Sequence, residues 1–338
     1  MEKELKSKTS VHKSAHSAAE TGHSSVAGGE KHNHNKTSQG LSVANASNIE
    51  KATTEFFDTN GAKLGIKVLI PVKTLMESGA YMGLPAKARN PKMSPYIAEN
   101  KGSKAQIINL IKTIAFLDQA CSVVQDIVKR GGRVLFVGTQ NDVIKNHIKD
   151  ECARTQSFYV NQRWLGGTLT NYKTVSKSVN KFNDLLTLQQ TGEISKYDKK
   201  EQVQIGKEIV KFERFLGGIR TLRGLPQLVI VTNPIVEHNA VAEARKLNIP
   251  VIAIANTDAN PDLIEHIIPA NNHSMRTVWL IISALADSIA LAKGEPATLL
   301  GKKASDIVLP EPAKANQTKS VLNHKTFGRF NRETPSSK

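Results

Sequence analysis

Three groups of cations in this chain stand where glycine, proline or an aromatic ring gives them chemistry to do. The stretch Phe158 to Tyr172 opens as a short apolar strand, throws out Arg163 and Trp164, turns on Gly166-Gly167 and enters a helix near Thr170. A guanidinium beside an indole pairs a charge with a stacking face, which suits phosphate and base contact. Adjacent glycines admit positive φ and let another chain approach closely. The competing reading is a buried Trp that closes a core while Arg snorkels outward. Lys87, Arg89 and Lys92 share a segment with Pro85, Pro91 and Pro95. The prolines forbid a helix there, and cations on a stiff loop lose less entropy on meeting phosphate than cations on a floppy one. Lys173, Lys177 and Lys181 form an i, i+4, i+8 stripe on a helix, with only Asp184 at its far end to neutralise it. For the proline segment and the stripe, the alternative is a solvated surface.

Catalytic arrangements are weaker. Gly138-Thr139-Gln140-Asn141 joins a strand to a helix, the place where doubly wound folds bind phosphate, but it lacks both glycine-rich nucleotide signatures. A helix N-cap by Thr139 or Asn141 accounts for it. Glu237-His238 and the Asp258/Asp262 pair around Asn260-Pro261 are candidate acid–base groups, yet no nucleophile or metal triad accompanies them. A free α/β enzyme or sugar-phosphate binder using the Gly138 turn is therefore the alternative function. Cys121 and Cys152 sit in apolar helical patterns without metal or redox spacing and read as core packing in a reducing compartment. His32 and His34 have a weak metal-binding spacing within a low-complexity stretch. No metal or other cofactor is expected.

The formal charge of +16 is unevenly spread. Residues 1–50 hold six Lys against five acids, residues 302–338 eight cations against three acids, and residues 51–301 hold 32 against 22. The excess belongs mainly to the body, which points to a polyanionic partner. No basic amphipathic helix with bulky apolar anchors favours a membrane surface. No apolar run approaches the roughly 18 residues of a membrane span, and the N-terminus lacks a signal core.

The supporting elements follow from periodicity. Residues 1–50 are Ser, Ala, His, Lys, Asn and Gly with almost no large apolar side chains, and are expected to be a disordered tail. Arg133 to Gly138, Phe158 to Val160, Leu228 to Thr232, Val251 to Ala255 and Ile267-Ile268 are short apolar strands. Between them, Ile114 to Val128, Val143 to Cys152, His238 to Leu247 and Thr277 to Ala292 carry helical spacing. Continuous apolar strands alternating with amphipathic helices predict an α/β fold, a Rossmann-like parallel sheet with helices on both faces. The rhythm breaks at residues 172–223. There Tyr172, Val175, Val179, Phe182 and Leu186, then Ile205, Ile209, Phe212 and Leu216, predict a protruding antiparallel helical hairpin. The division is thus a tail at 1–50, an α/β domain at 51–171 and 224–295 interrupted by a coiled-coil-like insertion at 172–223, and a basic C-terminal tail at 296–338. In that last tail Lys325 and Arg329 interleave with Phe327 and Phe330, a pattern able to stack on bases.

Several motifs, in order, resemble a known family: Asn90-Pro91-Lys92-Met93, Leu135-Phe136-Val137-Gly138, Arg163 to Asn171, Leu216-Gly217-Gly218-Ile219, Gly224-Leu225-Pro226 and Asn248-Ile249-Pro250. Together they are similar to the universal small-subunit ribosomal protein family numbered two, in its bacterial form, across about residues 67–295. The resemblance implies a non-catalytic structural constituent of the small ribosomal subunit in the cytoplasm. It implies a place at the head–body junction on the solvent side, bound to small-subunit rRNA. The implied neighbours are small-subunit proteins three, five and eight and the messenger-binding protein one, without homo-oligomers or a membrane. The residues expected to meet RNA are Lys87, Arg89, Lys92, Arg163, Trp164, Lys173 and Lys177. The chain departs from the family pattern at Gly79-Ala80-Tyr81-Met82-Gly83-Leu84, at Gln162 and at Asn256, where the family usually places histidines and an aspartate. Those positions have lost the side chains that would form a cation site.

Overall fold

The structure, a computed structural model, describes residues 69–98 and 105–311 together with Lys51. The expectations for the first tail, for His32 and His34, and for the cation–aromatic run beyond residue 311 lie outside the described residues. In chain order the regular elements are α1 (Val72–Glu77), β1 (Met82–Pro85), β2 (Ile97–Ala98), β3 (Ala105–Ile108), α2 (Leu110–Lys129), β4 (Val134–Val137), α3 (Asp142–Thr155) and β5 (Phe158–Val160). Then follow α4 (Tyr172–Gln190), α5 (Lys199–Leu216), β6 (Leu228–Val231), α6 (His238–Lys246), β7 (Val251–Ala255), β8 (His266–Pro269) and α7 (Met275–Lys293).

Five strands form one parallel sheet in the order β5-β4-β6-β7-β8. Leu135 pairs with Val229 and Val229 with Val251, so the register is set by strands that are apolar on both sides. Alternation along each strand sorts the side chains into two clusters. Val134, Phe136, Ile230, Ile252, Ile254 and Ile268 enter the first cluster, with α2, α3 and α7 packed over them. Leu135, Val137, Val229, Val231, Ala253 and Ile267 enter the second, beneath α6, the turn after β5 and the base of the hairpin. Both cysteines are free and buried in the first cluster, where burial pushes the Cys121 thiol up to about 12.

Helix α7 is apolar all round because it is a core helix. It is long and apolar enough to cross a membrane by length and composition, contrary to the sequence expectation, but 72% of that window is buried inside the protein. Ser274 caps its start and Gly294, at φ 83°, ends it.

Two regions differ from the sequence reading. The proline segment does form helix, though not α-helix: residues Ala86–Ala88 and Pro91–Tyr96 make 3₁₀ turns. Pro91 has its φ already set for a first helical position and Asn90 Oδ1 accepts from the Lys92 amide at 3.0 Å, while Pro95 keeps the turn short. A second sheet, antiparallel with order β1-β3-β2, was not expected. Its strands are two to four residues long, too short to carry a period.

Residues 298–310, assigned by composition to the C-terminal tail, pack on the first face. Leu299 is in the core, and Arg276 Nε donates to the Pro310 carbonyl at 3.0 Å. The Asp287 carboxylate, fully buried on α7, holds this segment. It accepts from the amides of Thr298, Leu299 and Leu300 at 2.9, 2.6 and 2.9 Å, and from Arg154 at 2.8 Å. Burial alone would raise its pKa, but the backbone hydrogen bonds outweigh that and hold it below the usual range.

Candidate nucleic-acid interface

The turn between β5 and α4 is built around a carboxylate that sequence reading missed. Glu243 of α6 accepts from Trp164 Nε1 at 2.9 Å and from the Gly167 amide at 2.8 Å with one oxygen. Its other oxygen accepts from the amides of Leu169 and Thr170 at 2.9 and 3.1 Å and from the Thr170 hydroxyl at 3.1 Å. All five partners are donors, so only an ionised carboxylate satisfies them. Burial pushes this group up, but those hydrogen bonds outweigh it and leave its pKa lowered. A signal was present in the sequence: Glu243 lies three residues after Ala240, one turn along the same side of α6.

This clamp decides the roles of the turn residues. Trp164 is 8% exposed and belongs to the second core cluster, so its ring offers no stacking face and the expectation of base contact by this side chain is corrected. The indole instead braces the turn from below. Arg163 is exposed, and no ion pair occupies its guanidinium among the described residues. Gly167 has φ +85°, which a side chain would strain. A Cβ on Gly166 would meet nothing within 4 Å, so the chain itself does not require glycine there. The adjacent Leu165 is 36% exposed.

The proline segment rests on the same cluster through Met93, and the Asn90 amide donates to the Thr257 carbonyl at 2.8 Å. Of its three cations, Lys92 is ion-paired with Asp262, 170 residues away, and Arg89 donates to Ser94 Oγ at 3.0 Å. Lys87 is exposed and unpaired among the described residues.

Helices α4 and α5 form the expected hairpin. Phe182, Leu185 and Ile209 make a small cluster of their own, with the Phe182 and Phe212 rings 5.8 Å apart. At its base Tyr172 Oη donates to the Leu222 carbonyl at 2.5 Å and accepts from the Gly224 amide at 2.8 Å. Lys173 and Lys177 are exposed and without ion pairs among the described residues. Lys181 is different: Glu208 on α5 pairs with it, a neutralising partner that reading α4 alone could not supply.

The Gly138 turn lies at the carboxyl ends of β4 and β6, where the strand order reverses, and Glu237 ties it down from the β6–α6 loop. Glu237 Oε1 accepts from the Thr139 amide at 2.9 Å and its hydroxyl at 2.6 Å. A Cβ on Gly138 would lie 2.6 Å from Ile148 Cδ1, so this glycine serves internal packing. Burial raises the Glu237 pKa despite the Thr139 bonds. A second polar cluster, His147, Ser283 and Glu151, superficially resembles a nucleophile–base pair. His147 Nε2 is 2.9 Å from Ser283 Oγ and 3.9 Å from Glu151, so the carboxylate sits on the wrong nitrogen to orient a base, and Ser283 is buried.

Comparison with known proteins now bears on the whole arrangement. Residues 75–292 match the family described as ribosomal protein S2. A small ribosomal subunit protein uS2 from Ureaplasma urealyticum serovar 10 is 47% identical over 290 residues, 82% of this chain and 82% of the relative. The protein of the same name from Malacoplasma penetrans is 45% identical over 266 residues, 77% of this chain and 72% of its own. That from Mycoplasmoides gallisepticum is 41% identical over 273 residues, 80% of this chain and 84% of its own.

The chain belongs to the ribosomal protein S2 family.

The family and its relatives do not support the enzymatic alternative at the Gly138 turn. The neutral amide of Asn256 donates to Asn271 Oδ1 at 3.2 Å and accepts from the Thr257 amide at 2.7 Å. No group of three or more His, Cys, Asp or Glu able to hold a metal occurs among the described residues.

Proposed function

We propose that this protein is a structural, non-catalytic constituent of the small ribosomal subunit in the cytoplasm, with rRNA and other ribosomal proteins as partners. Its membership of the S2 family carries this reading. The chemistry is electrostatic and geometric: exposed cations neutralise RNA phosphates and release counterions, while a stiff sheet fixes where those cations stand.

The finer assignment places RNA contacts at Lys87, Arg163, Lys173 and Lys177, which are exposed and unpaired among the described residues. Arg89 and Lys92 join them by exchanging Ser94 and Asp262 for phosphate. Trp164 contributes by holding the Arg163 turn on Glu243. The neighbours implied by the family resemblance are small-subunit proteins three, five and eight, with protein one docking from outside. Association of the purified chain with small-subunit rRNA across a salt series tests the reading. The logarithm of the affinity should fall by about 0.7–0.9 per phosphate contacted for each tenfold rise in salt. Salt-independent association would assign retention to the protein neighbours.

A further inference from the structure

At the root of the hairpin lies a cleft of about 560 Å³ to which the sequence reading gave no role. One wall is the α4 face bearing Ser176, Asn180 and Asn183, spaced i, i+4 and i+7. The other is the loop that returns from α5 to β6, with Arg220, Arg223 and Gly224. That volume is within the roughly 300–1,000 Å³ usual for ligand sites.

The charge in the cleft is one-sided. No carboxylate lines it, and both Arg220 and Arg223 are exposed, with no ion pair or side-chain hydrogen bond among the described residues. Elsewhere on the same hairpin two cations do have acidic partners, Lys181 with Glu208 and Lys196 with Glu193 at 2.8 Å. A third guanidinium stands behind the loop. A Cβ on Gly224 would lie 3.3 Å from Arg133 Nη2, and Arg133 Nε is buried without a hydrogen-bond partner. The cleft is also stiff. Tyr172 Oη bridges the Leu222 carbonyl and the Gly224 amide, and Gly224 holds φ +92°.

We propose that this cleft is an RNA-binding site, in which Arg220 and Arg223 hold backbone phosphates while Ser176, Asn180 and Asn183 hydrogen-bond the sugar or base edges between them. Fork-shaped guanidiniums suit phosphate oxygens, and amides and hydroxyls read the 2′-hydroxyl and exposed edges of RNA. The proposal rests on the rRNA-binding reading above and names a second contact area for it, separate from the Arg163 turn.

The test uses the full chain and labelled full-length small-subunit rRNA. Arg220→Glu with Arg223→Glu should weaken binding about tenfold or more and lower the salt slope by about 0.7–0.9 per lost phosphate. A matched reversal at exposed Lys129 and Arg130, on the helix covering the first face, should do neither. If the doubly reversed protein melts early, Arg220→Gln with Arg223→Gln replaces it. Ultraviolet cross-linking of assembled small subunits should then give RNA adducts on peptides spanning 172–183 or 219–224. Affinity equal to the Lys129/Arg130 control, with adducts only near Arg163, overturns the cleft and leaves the rRNA reading standing. Salt-independent binding by the unaltered chain overturns both.

Discussion

The two faces of the parallel sheet are covered by different means. On the first, α2, α3 and α7 lie over the strands and the charged groups beneath them answer one another. Arg154 meets Glu151 at 2.6 Å and Asp287 at 2.8 Å, and Asp287 also gathers three backbone amides. On the second, one nine-residue helix shares the work with a turn, a 3₁₀ segment and the root of a hairpin. Here too a carboxylate, Glu243, gathers amides, but the exposed cations near the turn, Arg163, Lys173 and Lys177, have no ion pair among the described residues. The same device therefore closes a core on one side and presents a binding surface on the other. On the first face the ion pairs lock Arg154 inward, whereas the second holds its backbone rigid around a carboxylate that leaves Arg163, Lys173 and Lys177 without ion pairs among the described residues.

The largest contrast should come from removing each clamp. Asp287→Ala leaves Arg154 and the amides of residues 298–300 without their acceptor and should cost about 3–5 kcal/mol of stability, read by denaturant titration. Its rRNA affinity, measured where the protein is still folded, should not change. A stability loss below about 1 kcal/mol would show that water replaces the carboxylate.

A pH titration sharpens the same contrast. Burial lowers the His147 pKa to about 4. The unfolded chain thus takes up a proton below about 6.5 while the folded chain stays neutral, so stability present above that pH is lost as pH falls toward about 4, by up to about 3 kcal/mol. Glu151 works oppositely, because burial raises its pKa and the folded state protonates first as pH falls. Comparing thermal melts of the unaltered chain and His147→Gln isolates the histidine. The variant should have the flatter acid limb, and equal slopes would remove His147 from the account.

Glu243→Gln should have a smaller global effect, about 1–2 kcal/mol, yet a concentrated local one. Gln presents an amide N–H₂ toward donors, so the amides of Gly167, Leu169 and Thr170 should exchange about tenfold faster. Unchanged protection there would mean that packing of Trp164, not the carboxylate, shapes the turn. Similar in size but more local, Gly167→Val should cost about 1–2 kcal/mol through its positive φ, whereas Gly166→Val, the smallest change, should leave the free protein unchanged. If Gly166→Val nevertheless weakens rRNA binding, the open side of that residue is where the partner comes close.

Strands, helices and the hairpin were legible in the sequence because each repeats apolar residues at a period its geometry imposes, as Val134 to Val137 and the Tyr172–Phe182 seam do. The three-stranded sheet was not legible, since strands of two to four residues give no period and pair through long-range contacts such as Met82 with Ile107. Site residues were legible by type but not by partner. Lys92 and Lys181 looked free because Asp262 and Glu208, which neutralise them, are distant in sequence. Trp164 looked like a stacking platform because Glu243, which receives its N–H, lies 79 residues on.

Lysine acylation, compared between the free chain and assembled small subunits, tests the division between the faces most directly. Lys87, Lys173 and Lys177 should lose reactivity on assembly, while Lys129 and Lys149, on the helices of the first face, should keep it. Protection of Lys129 and Lys149 with continued reactivity at Lys173 and Lys177 would contradict the account.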